Sequence, residues 1–85
     1  MLYKVLIKLY VPEIDEAYEM FIPINKTIGE ISFLLCKLVN NLSKVYPIRN
    51  NTRLVNRVTG EIYDRNITVR ESNIRNGSQL IIFFF

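Results

Sequence analysis

The sequence predicts an α+β fold in which one helix packs across one face of a mixed sheet. Three observations support this prediction. Residues 27–46 are the one segment with a sustained helical period, the segments on either side alternate between apolar and polar side chains, and the first and last of these segments are long and apolar. A lone amphipathic helix cannot bury its own apolar stripe, so the flanking strands have to cover it.

The helix is predicted from Thr27 to Tyr46. Thr27 is a favourable N-cap residue, and Glu30 three positions later gives the pattern of a capping box. Pro47 ends the helix because the residue before a proline is disfavoured in the helical conformation. Phe33 falls opposite the core stripe. Apolar residues at steps of three and four define that stripe, which consists of Ile28, Ile31, Leu34, Leu35, Leu38, Leu42 and Val45.

Five strands complete the predicted fold. Residues 2–11 and 17–24 form a hairpin around a loop with a proline and three acidic residues, and the segments 52–58 and 61–63 form a shorter hairpin at the edge. The Asn76–Gly77 turn leads into the last strand, which we expect to be the parallel neighbour of the first strand at the centre of the sheet. The predicted inward side chains are Tyr3, Val5, Ile7, Leu9, Tyr18, Met20, Ile22, Ile24, Leu80, Ile82 and Phe84.

The composition excludes most enzyme chemistry. The chain of 85 residues contains no histidine and a single cysteine, so it cannot assemble a zinc site or a Cys/His catalytic pair from its own residues. We therefore predict that it is not an enzyme, holds no metal or cofactor and has no small-molecule substrate. Cys36 is expected to be a small buried hydrophobe, since Lys37 is the one cationic neighbour in the sequence.

The charge and hydropathy patterns predict a cytoplasmic protein that does not insert into a membrane. The chain does not open on a secretion signal, and its apolar runs are well short of the roughly 20 residues that span a bilayer. The formal net charge is +3, with the basic residues spread along the chain as on a solvated surface. Nucleic-acid binding through stacking on Tyr3, Tyr10 or Phe21 is the disfavoured alternative.

Three short motifs resemble ubiquitin-like β-grasp proteins. Ile22-Pro23 with Thr27-Ile28 resembles the Val-Glu-Pro and Thr-Ile motifs at the helix start of ubiquitin, and Arg53-Leu54-Val55 resembles its Arg-Leu-Ile. Residues 69–80 resemble the run before its last strand. This last block is closer still to the bacterial YukD or EsaB proteins, whose Leu-Ser-Asp-x-Gly-Ile-x-Asn-Gly-Asp-x-Leu is matched here at Ile74, Asn76, Gly77 and Leu80. The resemblance implies a single ubiquitin-like domain over residues 1–85, with ββαβββ element order.

The same resemblance implies a function. YukD and EsaB are encoded with type VII secretion systems, so a non-catalytic, accessory protein-interaction role in such a system is expected, with a secretion-system membrane subunit as a partner. A ubiquitin-like modifier or sulfur carrier is the alternative. It is disfavoured because those proteins need a flexible tail ending in Gly-Gly, whereas this sequence ends in Ile-Ile-Phe-Phe-Phe inside the predicted last strand.

The outer face of the sheet is the predicted interaction site. Large apolar side chains on adjacent strands are expected to form one patch there, which would suit a protein partner or a homodimer. In ubiquitin the corresponding face, including the position that matches Val55, is the binding patch. A one-residue register slip, or coverage by the stems of Lys4 and Lys8, would instead remove the patch from solvent. The predicted site residues are Leu6, Phe21, Val55, Ile81, Phe83 and Phe85.

Overall fold

The computed structural model describes residues 3–43 and 51–85. In chain order the elements are β1 (Lys4–Val11), a short 3₁₀ turn (Pro12–Ile14), β2 (Glu16–Pro23), α1 (Ile28–Ser43), β3 (Thr52–Asn56) and β4 (Ser78–Phe84). The sheet order is β2-β1-β4-β3, with β1 and β4 parallel and the other two pairs antiparallel. The predicted mixed sheet with parallel first and last strands at its centre is therefore confirmed. Within the two described ranges, no helix is long and apolar enough to cross a membrane.

The parallel pairing of β1 and β4 begins at a polar turn. The side-chain oxygen of Asn76 accepts a hydrogen bond from the Leu6 backbone N–H at 2.7 Å, and the Gly77 N–H donates to the Leu6 carbonyl at 2.8 Å. Gly77 has a φ of +89°, a left-handed conformation that glycine adopts without steric penalty. After this turn β4 pairs with β1 in the register that places Ser78 opposite Ile7. Successive side chains of β4 then point alternately into the core and to the outer face of the sheet.

The core lies between α1 and the inner face of the sheet. The side chains of Ile7, Leu9, Leu80 and Ile82, on the two central strands, are at most 1% exposed, as their alternation predicts. Partly buried side chains border this core, and among them are the predicted inward residues Tyr18, Met20, Ile24 and Phe84.

Two tyrosines in the predicted strands have opposite environments. Tyr3 was expected in the core but is 59% exposed, because it precedes β1 at a point that the shorter β4 does not reach. Tyr63 is 4% exposed, and its hydroxyl donates to the Asn73 side-chain oxygen at 2.8 Å and accepts from the Asn56 amide nitrogen at 3.1 Å. Burial raises the pKa of Tyr63.

The first turn of α1 has the predicted capping box. The Thr27 backbone N–H donates to the Glu30 carboxylate at 3.0 Å, and the Glu30 N–H donates to the Thr27 hydroxyl oxygen at 3.1 Å. The predicted C-terminal end at Tyr46 and Pro47, together with Val45 and the side chain of Leu42, lies outside the described residues.

The core stripe of α1 differs from the prediction at two leucines. Leu34 and Leu38 are 48% and 39% exposed, so their assignment to the core was wrong. Ser32 and Cys36 are buried instead, at 0% and 4%. With small side chains at these two positions, the side of the helix that carries Ser32 and Cys36 can pack against the sheet, and Leu34 and Leu38 lie away from it. The spacing of the large apolar residues does not reveal this orientation. The buried residues of the helix are Ile28, Ile31, Ser32, Leu35, Cys36 and Val39.

The second predicted hairpin is shorter than expected. β3 ends at Asn56, whose side-chain oxygen accepts hydrogen bonds from the next turn, and the predicted strand 61–63 is reduced to a single bridge between Val55 and Ile62. The turn at Asp64, which accepts a bond from the Asn66 N–H at 2.8 Å, follows at once and leaves no length for a ladder. The described sheet therefore has four strands, not the predicted five.

The segment before β4 contains a second capping box and is hydrogen-bonded to the start of α1. The Thr68 N–H donates to the Glu71 carboxylate at 2.9 Å, and the Glu71 N–H donates to the Thr68 hydroxyl oxygen at 3.2 Å. Beside it, the Ile28 N–H donates to the Ile67 carbonyl at 2.8 Å. Gly29 allows this approach, because a Cβ there would lie 3.2 Å from the Arg65 carbonyl oxygen.

The free edge of β2 ends in a proline. The backbone N–H and carbonyl of Leu6 both form hydrogen bonds on the β4 side, so Leu6 and Phe21 are a pair without backbone hydrogen bonds between them. Such pairs recur at every second position of an antiparallel ladder, so Lys4 and Pro23 are also a pair of this kind. Pro23 has no N–H to donate, but its nitrogen faces the open edge of the sheet, so no hydrogen bond between β1 and β2 is lost.

Truncation of two adjacent leucines tests the assigned helix face. Leu35→Ala removes a side chain that is 3% exposed and should lower the free energy of unfolding by about 2–5 kcal/mol. Leu34→Ala, the matched control with the same change in helix propensity, should cost under about 1 kcal/mol because the side chain is already half exposed. Urea denaturation of both variants checks this, and equal losses would contradict the face described here.

The capping boxes predict a dependence of stability on pH. Hydrogen bonds from the backbone N–H groups of Thr27 and Thr68 lower the pKa of Glu30 and Glu71 below the ordinary value of 4.5. A carboxyl whose pKa is lower in the folded state stabilises the fold above its unfolded pKa, and this contribution is lost as the pH falls through the folded pKa. The chain should therefore become less stable on acidification through that window.

A double variant isolates this effect. In Glu30→Gln/Glu71→Gln the amide oxygens can still accept the two hydrogen bonds but no longer titrate. Its free energy of unfolding should fall less on acidification than that of the native chain. Glu16→Gln/Glu19→Gln, which removes two exposed carboxylates outside both boxes, serves as the charge-matched control. An identical acid profile for the double variant and the native chain would refute the assigned role of the boxes.

Candidate protein-interaction surface

The six predicted site residues lie on or beside the outer face of the sheet. The strand alternation places Phe21 on β2, Leu6 on β1, Val55 on β3, and Ile81 and Phe83 on β4, all on the face away from α1. Phe85 follows β4, and its N–H donates to the Asn51 carbonyl at 2.9 Å.

A polar row divides these residues into two groups. Lys8 on β1 pairs with Glu19 on β2 and with Gln79 on β4, and all three side chains are exposed. On one side of this row lies the Leu6–Phe21 pair. On the other side lie the remaining four predicted residues, so the expected single patch is interrupted at its middle.

Ile62 joins the larger group and was missed in the sequence. The bridge between Val55 and Ile62 continues the row in which Val55 pairs with Ile81, and directly opposite residues share a face. Ile62 is 56% exposed. The alternation of Glu61, Ile62 and the inward Tyr63 could have predicted this orientation. We call the group Val55, Ile62, Ile81, Phe83 and Phe85 the β3–β4 cluster.

The members of the β3–β4 cluster differ in exposure. Phe85 is 61% exposed and Phe83 is 38% exposed, whereas Val55 is only 9% exposed because it lies between Ile81 and Ile62. Val55 therefore forms the floor of the cluster, and the two phenylalanines and Ile62 form its accessible part. A partner would contact those three side chains first.

Arginine side chains border the cluster. The Arg53 guanidinium carbon lies 5.5 Å from the ring centroid of Phe85, and that of Arg57 lies 4.7 Å from the ring centroid of Tyr10. Both distances are in the range of cation–π contacts. The Tyr10 hydroxyl also donates to Asp15 at 3.0 Å, and this hydrogen bond raises the pKa of Tyr10. The cluster is thus apolar at its centre and cationic along the β3 side.

A second apolar surface lies on the outer side of α1. Phe33 is 54% exposed, as predicted, and the exposed Leu34 and Leu38 extend it. The Lys37 ammonium lies 5.1 Å from the Phe33 ring centroid. This surface is on the opposite side of the molecule from the β3–β4 cluster, which makes Phe33 a useful control position.

No protein-family model matches this chain, and no curated protein matches it. Solved structures do match. A chain of the MycP5-free ESX-5 inner membrane complex in State II superimposes with a TM-score of 0.81 at 18% identity, over 99% of this chain and 21% of that one. This chain thus spans about a fifth of that neighbour's length.

Two further structures are of similar size to this chain. A chain of the toluene 4-monooxygenase HD complex with the inhibitor 4-bromobenzoate gives a TM-score of 0.80 at 13% identity, over 96% of this chain and 99% of that one. Caldiarchaeum subterraneum ubiquitin gives 0.67 at 18% identity, over 96% and 94%. The four-stranded mixed sheet crossed by one helix is therefore a ubiquitin-like β-grasp fold. Likeness at these identities establishes the fold and leaves function to the surface chemistry.

Proposed function

We propose that this chain is a non-catalytic, ubiquitin-like protein-interaction module that binds a protein partner through the β3–β4 cluster. The observation that carries the proposal is the exposure of Phe83, Phe85 and Ile62 on or beside the sheet face that also carries the nearly buried Val55. Aromatic side chains and arginines are enriched in the centres of protein interfaces, and the cluster combines both. An apolar floor with an arginine border suits a partner that buries it.

The Leu6–Phe21 pair is part of the proposed contact. Tyr10 is paired with Ile81 and so lies in the row of the β3–β4 cluster. Leu6 is four positions from Tyr10 along β1, which at ~3.3 Å per residue is about 13 Å. A standard interface buries roughly 800 Å² on each partner, which is wide enough to reach across the polar row. Phe21, at 63% exposure, would then lie towards the rim of the same interface.

We further propose an accessory role in a bacterial type VII secretion system, on the cytoplasmic side, with a membrane subunit of the system as the partner. Two observations support it. The fold is similar to that of a chain in the ESX-5 inner membrane complex, a type VII secretion assembly, and residues 69–80 carry the motif that resembles YukD and EsaB. A homodimer formed through the same surface is the other arrangement that the cluster permits.

Capture of the tagged chain from cells of its source organism, with cross-linking and mass spectrometry, tests both parts. We expect the native chain to recover a secretion-system membrane subunit or ATPase. Phe83→Glu places a charge in the cluster and should reduce this recovery by more than about tenfold, the loss typical of an interface hot spot. Phe33→Glu is the matched control, since it makes the same substitution at an exposed phenylalanine on α1, and should recover the partner normally.

Three other outcomes distinguish the proposed surface from the proposed partner. Recovery of the chain alone, with light scattering showing a dimer that Phe83→Glu dissociates, would retain the surface and remove the secretion partner. Equal recovery by Phe83→Glu and the native chain would refute the surface. A ladder of unrelated proteins covalently attached to the chain would favour the modifier alternative.

A further inference from the structure

A concave site lies next to the β3–β4 cluster, at the edge of β3. It encloses about 380 Å³ and is lined by residues 51–54, Ile62, Tyr63, Arg65 and Phe85. Its volume is in the range of pockets that hold a side chain or a small ligand. Ile62 and Phe85 line this pocket and also belong to the cluster, so a partner on the cluster would cover the mouth of the pocket.

Two guanidinium groups line the pocket. Arg65 donates a hydrogen bond from its Nη1 to the Thr52 carbonyl at 2.8 Å, and no other hydrogen bond of its guanidinium group is formed within residues 3–43 and 51–85. Arg53 lies on the other side, against the Phe85 ring. Within the part of the chain that the structure describes, neither arginine forms an ion pair with a carboxylate.

The nearest carboxylates in sequence have other partners. The Asp64 side chain accepts from the Asn66 N–H at 2.8 Å, and the Glu61 side chain accepts from the Asn73 amide at 3.1 Å. No acidic residue lines the pocket among the described residues. The described lining of the pocket therefore carries two basic side chains and no acidic one. Two arginines and no acidic side chain among the described residues of one concavity favour an anionic ligand, and the planar guanidinium group suits a carboxylate.

We propose that this pocket binds the carboxylate of a glutamate or aspartate side chain on the protein that occupies the β3–β4 cluster, an inference that rests on the proposed interaction function. Arginine pairs with carboxylates in two parallel hydrogen bonds, which gives direction as well as energy. Ile62, Leu54 and Phe85 supply apolar walls for the neighbouring residues of the partner. The partner segment would therefore have an acidic residue with apolar residues next to it. Binding of the acidic residue in the pocket would fix the orientation of the segment on the β3–β4 cluster.

Amide and arginine side-chain NMR signals of the full-length chain provide the test, with two blocked peptides as probes. We expect acetyl-Phe-Glu-Leu-amide to shift the backbone signals of residues 51–54 and the Nε–H signals of Arg53 and Arg65. The glutamine analogue acetyl-Phe-Gln-Leu-amide should bind at least about tenfold more weakly, since the charge-assisted hydrogen bonds are lost.

Substitutions of single arginines locate the site. Arg65→Gln and Arg53→Gln should each weaken binding of the glutamate peptide by about tenfold, and Arg53→Gln keeps the test valid if loss of the Arg65–Thr52 bond disturbs the fold. Arg70→Gln, at an exposed arginine outside the pocket, is the charge-matched control and should bind as the native chain does.

Four results would overturn the proposal. They are equal binding of the two peptides, an equal loss in Arg70→Gln, tighter binding of inorganic phosphate than of the glutamate peptide, and no shift with either peptide up to about 10 mM. The probes do not depend on the captured partner, so the two proposals fail separately. Peptide recognition that persists while Phe83→Glu still captures the partner would refute only the proposed interaction surface.

Discussion

The parallel pairing of β1 with β4 is the constraint on which the rest of the molecule depends. It starts where Asn76 and Gly77 bond both backbone groups of Leu6, and a parallel pair has no tight turn of its own to fix its register. A shift of one residue would move every side chain of β4 to the other face. The register therefore decides at once that Leu80 and Ile82 enter the core and that Ile81 and Phe83 remain outside.

The proposed interaction surface is a consequence of that register. Because β3 pairs with β4, Val55 lies beside Ile81, and the bridge from Val55 brings Ile62 to the same row. The same pairing sets Arg53 opposite Phe83, so the cationic border and the aromatic centre are fixed relative to each other. The same backbone hydrogen bonds fix the fold and the positions of these side chains, so a partner bound at the proposed surface would meet side chains that are already in place.

The alternation of β1, β2 and β4 was sufficient to predict the sheet and its central pair, because period-two patterns report directly which face is buried. The helix face was harder. Ser32 and Cys36 are too small to register in a pattern of large apolar residues, so Leu34 and Leu38 were assigned to the core in their place. The arginine pocket was beyond sequence reasoning, since Arg53 and Arg65 are twelve positions apart and meet only through the path of residues 62–65 around β3. The Thr-Val-Arg-Glu capping box at 68–71 was readable and was missed.

Pro23 at the free edge of β2 has a consequence for how copies of this chain behave in a crowded cell. A strand with open N–H and carbonyl groups is a template on which further strands can polymerise, and a protein that exposes Phe21 next to such an edge would favour that growth. Pro23 offers no N–H to a further strand, and the exposed charges of Glu16 and Glu19 on the same strand also disfavour the addition of one. The aromatic face can thus stay exposed while growth of fibres from the edge is disfavoured.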